Sequence, residues 1–230
     1  MTRARKVLLS IAAVLALLGG AAFVVPPLLF SDGVDYSKAV SIKTAVEYQD
    51  PALLEKAWAL PVAQLYKPGI DYQSNGSFCG PTSLVNVMRS LGTKADQATV
   101  LEGTDTQTRM GMVVGGLTLD QLGEIVRKKL GKKVTVLRDL DLPAFRAQLM
   151  RANDPSVRLI LNFNRGPIFG QGGGHHSPIA GYLAAEDLAL VLDVNEKYKP
   201  WLVKSERLFE AMNTVDKGAG KKRGLIVIED

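Results

Sequence analysis

The sequence is poor in cysteine and histidine, with one cysteine and two histidines in 230 residues. A single cysteine excludes an intrachain disulfide framework and a metal site built from several thiolates of this chain. The net charge is also small outside the N-terminal segment. The first 30 residues hold three of the 28 basic residues and none of the 23 acidic ones, which leaves the remainder at +2. Because nucleic-acid binding requires a strongly basic surface, we expect no nucleic-acid partner.

An uncharged apolar stretch occupies residues 7–30, directly after a basic start. A cleaved secretory signal needs an apolar centre of about 7–15 residues and a small-residue exit, and residues 7–18 followed by Gly20-Ala21-Ala22 meet both requirements. An uncleaved anchor needs about 20 apolar residues, which the whole stretch supplies. Either reading exports the rest of the chain. We therefore predict a signal peptide or membrane anchor over 1–30 and one domain over 31–230, in the periplasm or on the outward side of a bacterial inner membrane.

The single cysteine, Cys79, lies at the start of a predicted helix. Pro81 fits a first helical position, where its missing N–H costs nothing. Helix dipole and free N–H groups at such a start favour thiolate over thiol. A thiolate is a nucleophile, whereas a buried thiol packs as a small apolar group, and Cys79 alone leaves both readings open. The apolar residues that repeat with helical spacing after it are Leu84, Val85, Val87, Met88 and Leu91.

Helical patterns come first along the chain and strand patterns follow. We predict helices over 51–59, 79–91, 117–130, 142–150 and 205–212, a glycine-rich loop over 166–174, and strands over 157–163, 177–183, 188–194 and 224–228. This order predicts an α+β fold with a mostly antiparallel sheet. A cysteine helix in the N-terminal helical part, packed on a later sheet, is the layout of a papain-like cysteine protease fold.

Both histidines are adjacent, at His175 and His176. If the strands on either side of 184–187 form a hairpin, Asp193 lies across from residue 175. A cysteine nucleophile needs a positioned imidazole and a third group that orients it. Neighbouring residues of a strand face opposite sides, so we expect only one imidazole to face Cys79 and Asp193 and the other to point away from both. The same geometry disfavours a zinc site formed by both histidines with Cys79.

Several segments resemble the phytochelatin synthase family, a branch of the papain-like fold. They are residues 75–84 around Cys-Gly-Pro, residues 164–166 and 174–182 around His-His-Ser-Pro, residues 190–194 around Asp193, and parts of 211–224. The resemblance covers roughly residues 60–228. It implies that residues 31–230 are a catalytic domain of this fold.

The resemblance implies an enzyme that acts on glutathione. Cys79 would attack the carbonyl between cysteine and glycine, release glycine and keep a γ-glutamylcysteinyl thioester, which passes to water or to another glutathione. His175 rather than His176 is implied as the base, because the family histidine stands directly before a variable residue and Ser-Pro. Asp193 would complete the triad.

Further site residues are also implied by the resemblance. An oxyanion hole needs hydrogen-bond donors for the developing negative charge. The backbone N–H of Cys79 is one candidate donor, and the side chain of Gln73 matches the position of the family's second donor. Arg165 and Arg223 match family arginines, and guanidinium groups are bidentate partners of carboxylates. Glu196 stands near where plant-type members place an arginine, which leaves the second-substrate site open.

We expect no tightly bound cofactor and no metal ligands. We also expect stimulation by heavy-metal ions such as cadmium or zinc, and glutathione–metal thiolates as ligands beside glutathione. The sequence has no Cys-rich region after the catalytic part, which favours a short bacterial-type form in which glycine release exceeds polymer synthesis.

Two alternatives stay open. One is a papain-like peptidase that cleaves leader peptides after paired glycines, which shares the Cys-Gly-Pro helix start. The other is a non-enzymatic exported binding module in which Cys79 packs or binds a metal. The choice between hydrolysis and transpeptidation, a homodimer, and membrane contact through residues 7–30 are not decided by the sequence.

Overall fold

The computed structural model describes residues 34–67 and 69–229. Residues 7–30 lie outside these ranges, so both readings of the apolar stretch stay predictions. A 3₁₀ helix at Ile42–Thr44 precedes the α-helices of the described ranges. These are α1 (Pro51–Trp58), α2 (Pro61–Gln64), α3 (Cys79–Ser90), α4 (Leu119–Leu130), α5 (Leu142–Arg151), α6 (Arg165–Phe169) and α7 (Ser205–Met212). In the same ranges, no helix combines the length and the apolar character needed to cross a bilayer.

An antiparallel six-stranded sheet forms the centre of the fold. The strands of the described residues are β1 (Thr108–Arg109), β2 (Met112–Val113), β3 (Lys133–Leu137), β4 (Val157–Asn164), β5 (Gly174–Leu183), β6 (Leu188–Leu192), β7 (Pro200–Lys204), β8 (Val215–Asp216), β9 (Lys221–Lys222) and β10 (Leu225–Glu229). The sheet order is β3-β10-β4-β5-β6-β7. The pairs β1–β2 and β8–β9 are separate short hairpins.

Helices cover both faces of the sheet. Because side chains alternate along a strand, Ile160 and Ile226 join the core beneath α3 and α4, whereas Leu161 and Val227 join the core beneath α5 and α7. Helix α3 packs against β5, so its first residue reaches the strand that carries both histidines. The predicted α+β class and the packing of the cysteine helix on an antiparallel sheet are confirmed.

Two local predictions were wrong in detail. Helix α3 begins at Cys79, which makes Pro81 its third residue rather than its first; proline is tolerated there because the first four N–H groups of a helix have no partner within it. The predicted loop over 166–174 contains most of helix α6, since Asn164 caps that helix by accepting from Gly166 N at 2.7 Å. Strand β5 accordingly begins at Gly174, three residues earlier than expected.

Candidate active site

Cys79 is the first residue of α3 and is buried, with 8% of its surface exposed. Ser83, one turn further, holds this helix start against β5. Its hydroxyl lies 2.7 Å from the carbonyl oxygen of Cys79 and 3.1 Å from that of His176, and it shares its proton between them. The helix start is therefore fixed relative to the strand that brings the imidazoles.

His175 and Asp193 meet as the hairpin predicts. Strands β5 and β6 pair antiparallel, and Asp193 directly follows β6. His175 Nε2 lies 3.1 Å from Asp193 Oδ1. A register shift between Ile179 and Gly181 lies in the same strand pair. The structure thus places His175, not His176, on the carboxylate.

The carboxylate of Asp193 is fully buried and has several donors. Its Oδ1 accepts from Arg165 Nη2 at 2.7 Å and from the backbone N–H of Asn195 at 2.9 Å, and its Oδ2 accepts from Trp201 Nε1 at 3.0 Å. Burial alone would raise the pKa of Asp193, but the charges and hydrogen bonds of His175 and Arg165 hold it far below its ordinary range. Asp193 is therefore a fixed anion that orients its partners.

Both imidazoles act on Cys79. Burial would raise the pKa of the thiol, but hydrogen bonds and charge from His175 and then His176 lower it well below its ordinary value. Burial and Arg165 would lower the pKa of His175, yet Asp193 and the bond to Cys79 outweigh them and raise it. This combination favours a thiolate–imidazolium pair between Cys79 and His175, the reactive form of a cysteine nucleophile.

The expectation that the second imidazole points away from Cys79 was wrong. His176 Nδ1 lies 3.8 Å from Cys79 Sγ. Strand alternation still holds, because only His175 reaches Asp193, but α3 begins beside the first residues of β5, where side chains from both faces of the strand approach one thiol. Among the described residues, no group of three or more His, Cys, Asp or Glu side chains is arranged to hold a metal ion.

Arg165, expected to bind substrate, lies behind the triad. It is 6% exposed, and its guanidinium carbon is 4.0 Å from the ring centre of Tyr198 and 5.4 Å from that of Phe169. Its Nη2 is bonded to Asp193. The structure does not bring Arg165 together with the cleft residues. Tyr198 and Trp201 complete this support and were missed, although both closely follow Asp193 in the sequence.

Arg223, by contrast, lines the cleft that contains Cys79. The cleft has a volume of about 760 Å³. Arg223 Nη1 donates to Asn162 Oδ1 at 3.0 Å and lies 3.5 Å from Asp216 Oδ2. Gly174 makes room for this guanidinium, since a Cβ there would stand 2.4 Å from Nη1. The polar residues of the cleft around Cys79 include Arg109, Asn162, His176, Asp216 and Arg223.

The predicted oxyanion donor has its amide engaged elsewhere. Gln73 Nε2 donates to the carbonyl oxygen of Asn75 at 2.8 Å, and its buried Oε1 has no hydrogen-bond partner among the described residues. Its backbone N–H donates to Val194 O at 2.7 Å, which ties the segment before α3 to the residue after Asp193. Glu196 is exposed in the turn that follows β6.

Comparison with known proteins agrees with this arrangement. A family model described as phytochelatin synthase matches residues 48–225, which contain every site residue named above. The chain belongs to the phytochelatin synthase family. It is 44% identical to glutathione gamma-glutamylcysteinyltransferase 1 of Triticum aestivum over 86 residues, covering 36% of this chain and 17% of that protein. It is 30% identical to glutathione gamma-glutamylcysteinyltransferase 2 of Arabidopsis thaliana over 169 residues, covering 68% of this chain and 37% of that protein.

The chain thus spans well under half the length of these two relatives. A solved structure described as a C39-like peptidase from Bacillus anthracis superimposes with a TM-score of 0.53 at 14% identity, covering 72% of this chain and 96% of that one. At this identity the likeness concerns the fold alone, and it agrees with the papain-like fold expected of a phytochelatin synthase family member.

Proposed function

We propose that this chain acts on glutathione through a γ-glutamylcysteinyl thioester on Cys79, releases glycine, and passes the acyl group to water or to a second glutathione. The observation that carries the proposal is one cleft in which a thiol with a lowered pKa and the Arg223–Asp216 pair face the same space. The family membership and the transferase names of the relatives support this choice of substrate.

The Arg223–Asp216 pair suits the γ-glutamyl end of glutathione. That group carries an α-carboxylate and an α-ammonium on one carbon atom. A guanidinium is a strong partner for the carboxylate, and the neighbouring Asp216 carboxylate is a partner for the ammonium. Binding at this pair would place the peptide chain along the cleft toward Cys79.

Acylation uses the thiolate–imidazolium pair. The Cys79 thiolate attacks the carbonyl carbon between cysteine and glycine, so a C–S bond forms and the carbonyl becomes an oxyanion. The backbone N–H of Cys79 is one donor for that oxyanion, and Gln73 is a second once its Nε2 leaves Asn75 O. His175 then gives its proton to the glycine nitrogen as the C–N bond breaks. Glycine departs, and His175 is left neutral.

Deacylation reverses these proton movements. Neutral His175 takes a proton from water, or from the α-amine of a second glutathione, as that oxygen or nitrogen attacks the thioester carbonyl. The C–S bond breaks, Cys79 leaves as a thiolate, and the proton stays on His175, which restores the starting pair. Asp193 and Arg165 hold the ring orientation throughout, since the carboxylate remains an anion.

The proposal extends to metal ions, export and assembly. Heavy-metal ions such as cadmium or zinc would stimulate the enzyme as complexes with the thiolate of glutathione. The chain itself would hold no tightly bound cofactor. Residues 7–30 would export the domain, either as a cleaved signal or as an uncleaved anchor, because of their basic start and apolar run. A homodimer is compatible with the proposal and is not required by it.

The decisive experiment incubates the purified domain with glutathione, with and without cadmium, and identifies the products by mass. We expect free glycine together with γ-glutamylcysteine, and longer peptides only if a second glutathione competes with water. Cys79→Ser is the matched control and should release no glycine. Cleavage of a double-glycine leader peptide with no glycine release from glutathione would instead identify the peptidase.

Export is tested separately by fusing a reporter that is active only in the cytoplasm after Ser31. We expect no signal from this fusion. A strong signal together with soluble full-length protein would contradict export and would leave the proposed chemistry unaffected.

A further inference from the structure

A line of polar side chains runs along the cleft from Arg223 to Cys79 and is separate from the His175–Asp193 pair. Arg223 Nη1 donates to Asn162 Oδ1 at 3.0 Å. Asn162 Nδ2 lies 2.9 Å from His176 Nε2, and His176 Nδ1 lies 3.8 Å from Cys79 Sγ. The mechanism above uses His175 and leaves this second imidazole without a role, although it is 2% exposed and lines the cleft.

The neighbours of Asn162 fix the direction of its amide. A guanidinium has only donors, so the oxygen of the amide must face Arg223. The amide nitrogen then faces the opposite way, where it donates to the carbonyl oxygen of His175 at 3.3 Å. Two independent partners, an obligate donor and an obligate acceptor, therefore agree on the same orientation.

The contact between Asn162 and His176 is not an in-line hydrogen bond to one ring nitrogen. Asn162 Nδ2 lies 2.9 Å from Nε2 and 3.4 Å from Nδ1 of His176, so the amide nitrogen stands over the face of the ring. The Nδ1 atom of the same ring faces Cys79 Sγ. A thiolate only accepts hydrogen bonds, so beside the Cys79 thiolate this contact is a hydrogen bond only when Nδ1 carries a proton.

We propose that His176 is a positioning residue whose Nδ1–H donates to the Cys79 thiolate, whereas His175 alone exchanges the proton. The inference rests on the proposed function only in taking Cys79 as the nucleophile. The pKa of Cys79 agrees with this role. Burial raises that pKa, whereas His175 and His176 lower it.

Other charged groups also surround the thiol, and the test must keep them in place. His175 approaches from the same strand, with Asp193 and Arg165 behind it. Arg109, Asp216 and Arg223 line the same cleft. All of these stay unchanged in variants of His176, so a difference between such variants reports the contact of residue 176 with Cys79.

The first experiment measures alkylation of Cys79 by iodoacetamide as a function of pH. Because Cys79 is the only thiol, the midpoint of the curve belongs to it and needs no glutathione turnover. His176→Phe keeps a ring without an N–H, and its midpoint should lie about one to two pH units higher, since the thiolate loses a hydrogen bond to a charged group. His176→Asn restores an N–H near the position of Nδ1 and should recover most of that shift.

An unchanged midpoint in folded His176→Phe, or a His176→Asn variant shifted as far as His176→Phe, would overturn the proposal. Thermal melts report whether each variant is folded. The second experiment needs no variant at residue 176. It uses ¹⁵N-histidine NMR on the unmodified protein, where only two rings contribute. We expect one neutral ring protonated on Nδ1, assigned to His176 by its contact with Asn162, and one imidazolium, assigned to His175.

A His176 ring protonated on Nε2, or one that becomes the imidazolium partner of the thiolate, would contradict the proposal even if every variant failed to fold. The two proposals fail independently. Loss of glycine release with the expected tautomer would remove the glutathione function and keep the role of His176, whereas glycine release with the opposite tautomer would do the reverse.

Discussion

Arg165 and Asp193 form an ion pair in which neither side chain is more than 7% exposed, with Nη2 2.7 Å from Oδ1. The same oxygen accepts from His175. A guanidinium thus shares this carboxylate oxygen with the imidazole, and it packs beside the rings of Tyr198 and Phe169. This pair fixes the anion, and it also places a positive charge near the imidazolium.

Arg165→Leu should therefore change stability and pH dependence together. Removing one partner of a buried ion pair costs about 3–5 kcal/mol, to be measured by urea denaturation. Because Arg165 lowers the pKa of His175, its loss should raise that pKa. Activity needs the imidazolium, so the alkaline limit of the glycine-release profile should move to higher pH. An alkaline limit that moved to lower pH would contradict this account of Arg165.

Cys79→Ser should abolish glycine release while the domain stays folded, because a serine hydroxyl at this site is not ionised by a neighbouring imidazole. The unmodified protein should accumulate an acyl adduct on Cys79, detected by intact mass after a brief incubation with glutathione. Appreciable turnover by Cys79→Ser would remove the covalent mechanism.

His175→Ala should lower the rate of glycine release by about 10³-fold or more, as loss of a triad base does. His176→Ala should cost much less, since it removes a donor to the thiolate and leaves the base in place. Both rates are compared alongside thermal melts. If His176→Ala were inactive and His175→Ala retained most activity, the assignment of the base would be wrong.

The stability of the domain should fall in acid, and Asp193 should contribute to the slope. Its pKa is lower in the folded chain than its ordinary value of 3.8. The unfolded state then binds the proton more tightly, so the contribution is present above pH 3.8 and is lost as pH falls below it toward the folded pKa. Urea midpoints across this range measure the slope. Asp193→Asn, although less stable at neutral pH, should show a flatter curve.

Gly174→Ala should weaken substrate binding more than it slows chemistry. The new Cβ would stand 2.4 Å from Arg223 Nη1, so the guanidinium has to move. We expect KM for glutathione to rise several-fold with a smaller change in kcat. Gly69→Ala is the matched control, because a Cβ there meets nothing within 4 Å. Equal KM values for the two variants would argue against Arg223 as a substrate ligand.

Local patterns predicted the elements with strong periodicity. Helices α1 and α4 begin after Asp50 and Thr118, whose side chains accept from Leu53 N and Gln121 N. The hairpin of β5 and β6 was predicted because its turn is short and its strands are apolar. These features lie within a few residues of one another, so they are visible in the sequence.

Strands β3 and β7 were not predicted. β3 pairs with β10, which is distant in the sequence, whereas β7 pairs with the nearby β6 and is an edge strand that begins with Pro200. The orientation of Arg165 and the approach of His176 to Cys79 escaped prediction because they depend on contacts between residues that are distant in the sequence. Strand alternation tells which face a residue occupies, but not where the start of a helix lies relative to the end of that strand.

The strand β10 separates two neighbours that are far from it in sequence, β3 and β4. Arg223 stands two residues before it, and Asn162, the partner of Arg223, stands on β4, where its backbone N–H donates to Gly224 O at 2.8 Å. Contacts of such separation require a long loop to close, which costs chain entropy. We therefore expect the substrate-binding end of the cleft to assemble after the β5–β6 hairpin that joins His175 to Asp193.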